Sequence, residues 1–382
     1  MNTDYLIVGA GFSGLVLAER LCAAGKTCVV IDRRSHIGGN SDDHYDEHGV
    51  LLHTYGPHYF RTDSPEIIEY LSRFTAWLPC TYRVLSWTEG RYWSFPVNLA
   101  TYEQLVGHPA TEDEFKAWLE KEKLPIPVPA NSEEAILSQA GRRLYEMFFR
   151  GYTRKQWRRD PSELDASVCA RIPIRTNRND AYLREKHQMI PDKGYHALFE
   201  NIVAACGERL TLLLDTDYRA VAQTIGHRHL FYCGAIDEYY EYRFGPLPYR
   251  SLRFDPQYFG PEELEERFAI SGKRGFWQPC MQVNYPNDYD FTRIVEIKHA
   301  TQQDCAGTTI VREFPADWTP GSEPYYPVPT PESAALYESY RTLAAGEGGV
   351  TFLGRLGQYR YCNMDQVVAQ ALAIAAQTLA SE

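Results

Sequence analysis

The 382-residue chain contains no apolar run near the roughly 18 residues that a membrane span needs. Its start enters a strand-like segment at once, with no basic region or cleavage signal ahead of it. These two absences set the expectation of a cytoplasmic protein with no membrane partner. Positive charge is also short: 39 Lys and Arg stand against 50 Asp and Glu, for a formal net charge of −11. A protein that tracks nucleic-acid phosphates normally needs a basic face, so nucleic acid is not expected as a partner, and only a local arginine cluster for one small phosphorylated ligand stays open. The nine cysteines are odd in number and never spaced C-x-x-C, which argues against metal sites and disulfide frameworks and for small buried side chains. Internal repeats and low-complexity stretches are missing too. Tyrosine, by contrast, is abundant. The chain has 27 of them, several in pairs, which suits a pocket that is apolar in body and polar at its tips.

The segment YLIVGAGFSGLVLAERL, residues 5–21, runs from an apolar strand into Gly9, Gly11 and Gly14, after which Leu15, Leu17 and Leu21 recur at helical spacing. Three glycines in that context meet three steric needs: a tight turn, close backbone approach to a pyrophosphate, and close packing of helix on strand. Asp32 ends the next strand at the distance expected of a ribose-hydroxyl acceptor. Gly38, Gly39 and Asn40 follow soon after and are similar to the extended fingerprint of FAD-binding folds, in which a second loop runs along the pyrophosphate. FAD is therefore expected rather than NAD.

Along the chain, YRVLSWTEGRYWSFPVNL reads as two strands about a Glu89-Gly90 turn. A helical region follows, containing one long amphipathic helix expected to break at Gly151. The stretch SELDASVCARIPIRTNRND reads as a loop or short strands. GYHALFENIVAACG reads as a helix. LTLLLDTDYRAV and HLFYCGA read as strands returning to the first sheet, and YRSLRFDPQYF, CMQVNYP, FTRIVEIKHAT and TTIVREFPA as antiparallel strands. VTFLGRLGQYRYCNMDQVVAQALAIAAQTLA closes as strand, glycine-rich turn and helix. The expected class is α/β, with an FAD-binding Rossmann-like domain, a helical insert and an antiparallel β-sheet domain. The expected boundaries are 1–78, 193–240 and 340–382 for the discontinuous FAD domain, 99–165 for the helical insert, and 79–98, 166–192 and 241–339 for the substrate domain.

The strings YEMFFRGYTRKQWRRDPSELDASVCARIPIRTN, YGPHYFRT, EPYYPVP and GRLGQYRYCNMD closely resemble the UDP-galactopyranose mutase family over nearly the whole chain. The resemblance implies an isomerase that interconverts UDP-galactopyranose and UDP-galactofuranose without net redox change, for cell-wall polysaccharide. N5 of reduced FAD is the implied nucleophile on the anomeric carbon. It also implies an external reductant such as NAD(P)H and a homodimer. Carried over position by position, Arg171 and Arg293 match the arginines that grip the diphosphate, and His58 and Arg355 match groups beside the flavin, as does Met364. Tyr152, Thr153, Trp157, Tyr182, Tyr326 and Tyr361 match positions around uridine, phosphates and sugar, and Asn284 a substrate-side amide. Phe148 and Phe149 match the uridine side, while their spacing alone reads equally as helix core. If the SVCARIPIRTN loop closes over substrate, Arg171 reaches the phosphates in the closed state.

Two positions depart from the family pattern. Arg61 stands where a second histidine is usual, and Asn363 where an aspartate is usual. Both leave the reaction class intact and open the choice of sugar to UDP-N-acetylgalactosamine or a 6-deoxy sugar nucleotide. An FAD amine oxidase shares the N-terminal fingerprint but gives no reason for arginines and tyrosines suited to a diphosphate. A nucleotide-sensing module without turnover is the non-enzyme alternative.

Overall fold

The computed structural model describes residues 1–381. Its first layer is a five-stranded sheet in the spatial order Leu210–Leu213, Cys28–Ile31, Tyr5–Val8, His229–Tyr232, Val350–Phe352. Every pairing in it is parallel. Such sheets are covered on both faces, and the inner strands are accordingly almost entirely apolar, with His229 at the start of one as the exception. Leu6, Ile7, Val30 and Ile31 are completely buried. The helix Phe12–Ala23 packs on this sheet between Gly194–Cys206 and Met364–Ala380, with Leu15, Val16, Leu17 and Leu21 in the shared core. The last strand and the last helix thus complete the unit that the first residues begin.

The second layer is a seven-stranded sheet ordered Tyr326–Pro327, Tyr249–Phe259, Thr308–Asp317, Arg293–Val295, Gln282–Asn284, Val84–Thr88, Arg91–Phe95. It is antiparallel except where Gln282–Asn284 runs parallel to Val84–Thr88. The hairpin turns at Glu89 and Gly90, both at positive φ, as the sequence suggested. A small antiparallel sheet of Phe60–Thr62, His187–Pro191 and Trp77–Pro79 ties the N-terminal segment to the chain after residue 186. Several expected strands are shorter than read. LTLLLDTDYRAV is strand only over Leu210–Leu213 and helical over Tyr218–Val221, and FTRIVEIKHAT is strand only over Arg293–Val295 before a helical turn Lys298–Thr301. The SVCARIPIRTN stretch opens with a short helix, Ser167–Ala170.

The helical insert comprises Leu99–Val106, Glu112–Glu122, Ser132–Leu144, a π turn Tyr145–Phe149 and Arg150–Trp157. The expected break at Gly151 is not there. The chain kinks instead at Gly141, at φ 73°, where a Cβ would lie 2.4 Å from the Glu122 carbonyl oxygen. Gly151 is helical, and it is glycine because a Cβ there would meet the Pro286 carbonyl oxygen at 2.3 Å. Close docking, and no turn, is what that position requires.

Candidate active site

The glycine turn after Tyr5–Val8 is built as its spacing demands. Gly9 has φ +108°, and a Cβ on Gly14 would sit 1.9 Å from the Gly9 carbonyl oxygen. Gly38 and Gly39, also at positive φ, bring a second loop against the first: Gly38 N–H donates to the Ala10 carbonyl at 2.8 Å, and a Cβ on Gly39 would lie 3.2 Å from Gly11 Cα. Asp32 is buried and braces this turn, one carboxylate oxygen accepting from Ala10 N–H at 2.8 Å and the other from Arg34 N–H at 2.9 Å. Its remaining lone pairs are what a ribose hydroxyl has to use. Arg34 donates to Asn40 Oδ1 at 2.7 Å, pairs with Glu323 at 2.5 Å and lies 4.3 Å over the Tyr55 ring, closing one wall.

These groups line one cavity of about 220 Å³ that runs from Asp32 and Tyr218, past Gly11 and Asn40, to His58, Arg355 and Met364. Its length, its two glycine loops and the helix Met364–Ala380 that opens at its inner end fit an extended dinucleotide such as FAD. Met364 accepts a hydrogen bond from Ser41 at 3.6 Å through its sulfur. Arg355 donates to the Tyr325 carbonyl and stands 5.1 Å from the Tyr361 ring centre and 5.8 Å from that of Tyr326.

His58 marks the join between the groove and the cleft of the second sheet. Its Nδ1 lies 2.9 Å from the Gly56 carbonyl oxygen, so Nδ1 carries the proton and Nε2 the lone pair. Burial, together with the nearby charges of Arg355 and Arg293, pushes its pKa down to about 4, so the ring is neutral at physiological pH.

Arg293 enters from the strand Arg293–Val295, directly opposite Asn284 on one side and Glu313 on the other. Nε and a terminal nitrogen both donate to the same Glu313 oxygen, at 2.8 and 2.7 Å. Desolvation alone would lower the guanidinium pKa, but the Glu313 charge overrides it and holds the group well above its ordinary value. Tyr152, Tyr326 and Tyr82 are its next neighbours. Arg171 reaches the same space from beyond the helix Ser167–Ala170. Its electrostatic neighbours are Tyr182, Tyr361, Tyr152 and Tyr326; among the described residues its guanidinium has no ion-pair or hydrogen-bond partner, and the residue is exposed. One arginine is fixed and one is free, and both face Tyr152 and Tyr326.

Not every expected residue reaches this space. Phe148 and Phe149 are buried, Phe148 against Trp93 and Phe95 and Phe149 against Phe95, so the core alternative is where the structure places them. Phe95 in turn backs Tyr182 at 6.4 Å, which makes the phenylalanines a support for the tyrosine wall. Thr153 is also buried, 3.4 Å from the Cys169 sulfur. Trp157 is half-buried at the end of its helix. Asn284 sits in a strand and accepts from Gln282 at 2.8 Å. Arg61 and Asn363, the two departures from the family pattern, touch each other at 2.9 Å, and Arg61 also pairs with Glu185 at 3.3 Å.

Three residues escaped sequence reading. Glu313 sits in a strand whose register pairs it with Arg293, a partnership that no local spacing announces. Glu323 holds Arg34. Asn287 donates to Thr88 Oγ1 and to the Met147 and Glu146 carbonyls, at 3.2, 3.3 and 3.5 Å, just where the π turn leaves main-chain oxygens short of donors.

The fold and this cleft together define a Rossmann-like dinucleotide-binding protein with two arginines, Arg171 and Arg293, set among tyrosines beside the inner end of its groove. A family model described as NAD(P)-binding Rossmann-like domain matches residues 7–74, and one described as UDP-galactopyranose mutase matches residues 147–361. The chain is 38% identical to a probable UDP-galactopyranose mutase of Klebsiella pneumoniae, covering 100% of this chain and 96% of that protein. It is 34% identical to a dTDP-fucopyranose mutase of Escherichia coli, covering 96% of each. A crystal structure of reduced UDP-galactopyranose mutase shares the fold with a TM-score of 0.74 at 17% identity, over 100% of this chain and 96% of that one. The protein belongs to the UDP-galactopyranose mutase family and is thus an isomerase.

Proposed function

We propose that this protein interconverts the pyranose and furanose forms of UDP-galactose, with FAD in the groove and active only when reduced. The observation that carries this reading is the meeting of Arg171, Arg293 and the tyrosines with His58 and Arg355 at the inner end of the groove. Reduced flavin, when bound, supplies the nitrogen nucleophile toward the anomeric carbon. The chain's own residues do the rest. Arg293, oriented by Glu313, holds the diphosphate from one side, and Arg171 adds a mobile charge as the leaving group departs. Tyr152, Tyr182, Tyr326 and Tyr361 offer neutral donors and ring surface to phosphates and uracil. His58 presents a neutral ring to the cofactor edge, and Arg355 favours negative charge there.

This reading assigns 1–78, 193–240 and 340–382 to the cofactor, 99–165 to the helical insert and the remainder to substrate. It includes a cytoplasmic homodimer, an external reductant such as NAD(P)H, and closure of the Arg171 segment over substrate. No helix of the described residues is long and apolar enough to cross a membrane.

The direct contact of Arg61 with Asn363 supports a second reading, the same chemistry on another nucleotide sugar. A relative of comparable similarity bears the name of a dTDP-fucopyranose mutase, and fucose is a 6-deoxy sugar. The primary test is anaerobic incubation of dithionite-reduced protein with UDP-galactofuranose, following the pyranose by chromatography beside an oxidised control. Turnover only after reduction supports the mutase; none with flavin bound redirects the assay to N-acetylated and 6-deoxy sugar nucleotides. Arg61→His and Asn363→Asp should then shift the ratio of kcat/KM between sugars by roughly fivefold to tenfold. Unchanged ratios would remove these two residues from sugar choice.

A further inference from the structure

Next to His58 in the chain, Gly56 and Pro57 help line a second, small pocket of about 10 Å³, separate from the groove. Its walls are apolar, with Leu52, Phe254, Val295 and Val311 among them, and the side chains of His53 and Glu313 are the polar groups that line it. Both are almost fully buried, at 6% and 1% exposure. Both also carry a polar atom with no hydrogen-bond partner: Nε2 of His53 and Oε1 of Glu313.

The chemistry of those two atoms is complementary. His53 Nδ1 accepts the His58 backbone N–H at 2.9 Å, so the neutral ring must carry its proton on Nε2, leaving a buried donor. Glu313 uses its other oxygen for both Arg293 nitrogens, leaving a buried acceptor. A buried donor and a buried acceptor stranded in the same apolar pocket are each destabilising if left unpaired. Space of about 10 Å³ is at the threshold for one water molecule, and a water needs at least two polar partners.

We infer that this pocket binds one internal water, which accepts from His53 Nε2 and donates to Glu313 Oε1, and that His53 and Glu313 are positioning residues coupling the diphosphate arm to His58. The coupling, though not the water, rests on the mutase reading. The connection runs from Arg293 through Glu313, the water and the His53 ring to the main chain of His58. Gly56 leaves room for it: at φ +85°, a Cβ there would press on Phe254 at 3.0 Å and on Glu313 at 3.2 Å, while its carbonyl holds His58 Nδ1. Neither His53 nor Glu313 needs to touch substrate. Their work is to keep the arginine and the histidine in one relative geometry.

A high-resolution crystal structure of the flavin-loaded protein tests the site directly. The expected result is one ordered water within about 3 Å of both atoms; a dry pocket, or direct contact between Nε2 and Oε1, overturns the inference. Kinetics test the coupling. His53→Asn keeps an acceptor short enough for His58 N–H but loses Nε2. It should leave UDP binding to the oxidised holoenzyme unchanged while lowering kcat about tenfold at constant KM. Adding it to Glu313→Gln should slow that variant no further, whereas losses that multiply would show the two residues to act separately. If no nucleotide sugar turns over at all, the mutase reading fails while the crystallographic water still decides this one.

Discussion

Along its two glycine loops the groove is largely main chain: Gly9, Gly11, Gly38 and Gly39 bring the loops together, and Asp32 spends its carboxylate on backbone N–H groups. At the inner end the surface is side chain, supplied by His58, Tyr152, Arg171, Arg293, Tyr326 and Tyr361 from six separate segments. The outer half is specified by what its residues lack, and a single Cβ is enough to disturb it. The inner half is specified by what its residues carry, and its geometry depends on partners such as Glu313 and Phe95 that never face the ligand. A pyrophosphate bound throughout turnover suits a rigid cradle, whereas a diphosphate that must leave and return suits charged arms of unequal freedom.

Three experiments press on that contrast. Gly14→Ala should have the largest effect, because its Cβ would overlap the Gly9 carbonyl oxygen; flavin content, read from absorbance per mole of protein, should drop below about one-tenth of the parent's. Arg293→Ala should retain flavin yet lower kcat/KM about 10³-fold, since it removes a phosphate donor and strands the buried Glu313 charge; Arg171→Ala, having no such partner, should cost about 10²-fold. Flavin loss in either arginine variant would erase the division between the halves. The smallest effect is on stability against pH. Burial lowers the pKa of His53 to about 3 and that of His58 to about 4. The unfolded chain takes up these protons near pH 6.5 and the folded chain refuses them, so stability should decline as pH falls from about 6.5 to 4. Urea midpoints measured across that window, with His58→Asn showing a shallower decline, check the sign.

The outer half was legible because its determinants are adjacent in sequence: strand, glycines, helix and Asp32 fall within 28 residues, from Tyr5 to Asp32. The inner half was named only through resemblance of long strings, since nothing local distinguishes Arg171 or Arg293 from a surface arginine. Glu313 was missed because strand register, a property of the folded sheet, joins it to Arg293. Phe148 and Phe149 stayed ambiguous because a π turn shifts which face of the helix meets the core, and no helical periodicity reports that shift. Gly151 was misread as a breaker since sequence shows a missing side chain but not the Pro286 carbonyl that requires its absence.

The interleaving of the two chain ends has a consequence for biosynthesis. Gly9 leaves the ribosome early, but the inner end of its groove needs Arg355 and Met364, and the strand Val350–Phe352 must join the sheet beside His229–Tyr232. A nascent chain therefore exposes half of the groove until Met364 has been made, so a dinucleotide that spans the groove can be held only after that point. Ribosome-stalled chains ending before Val350 should retain no flavin, while the released protein takes it up.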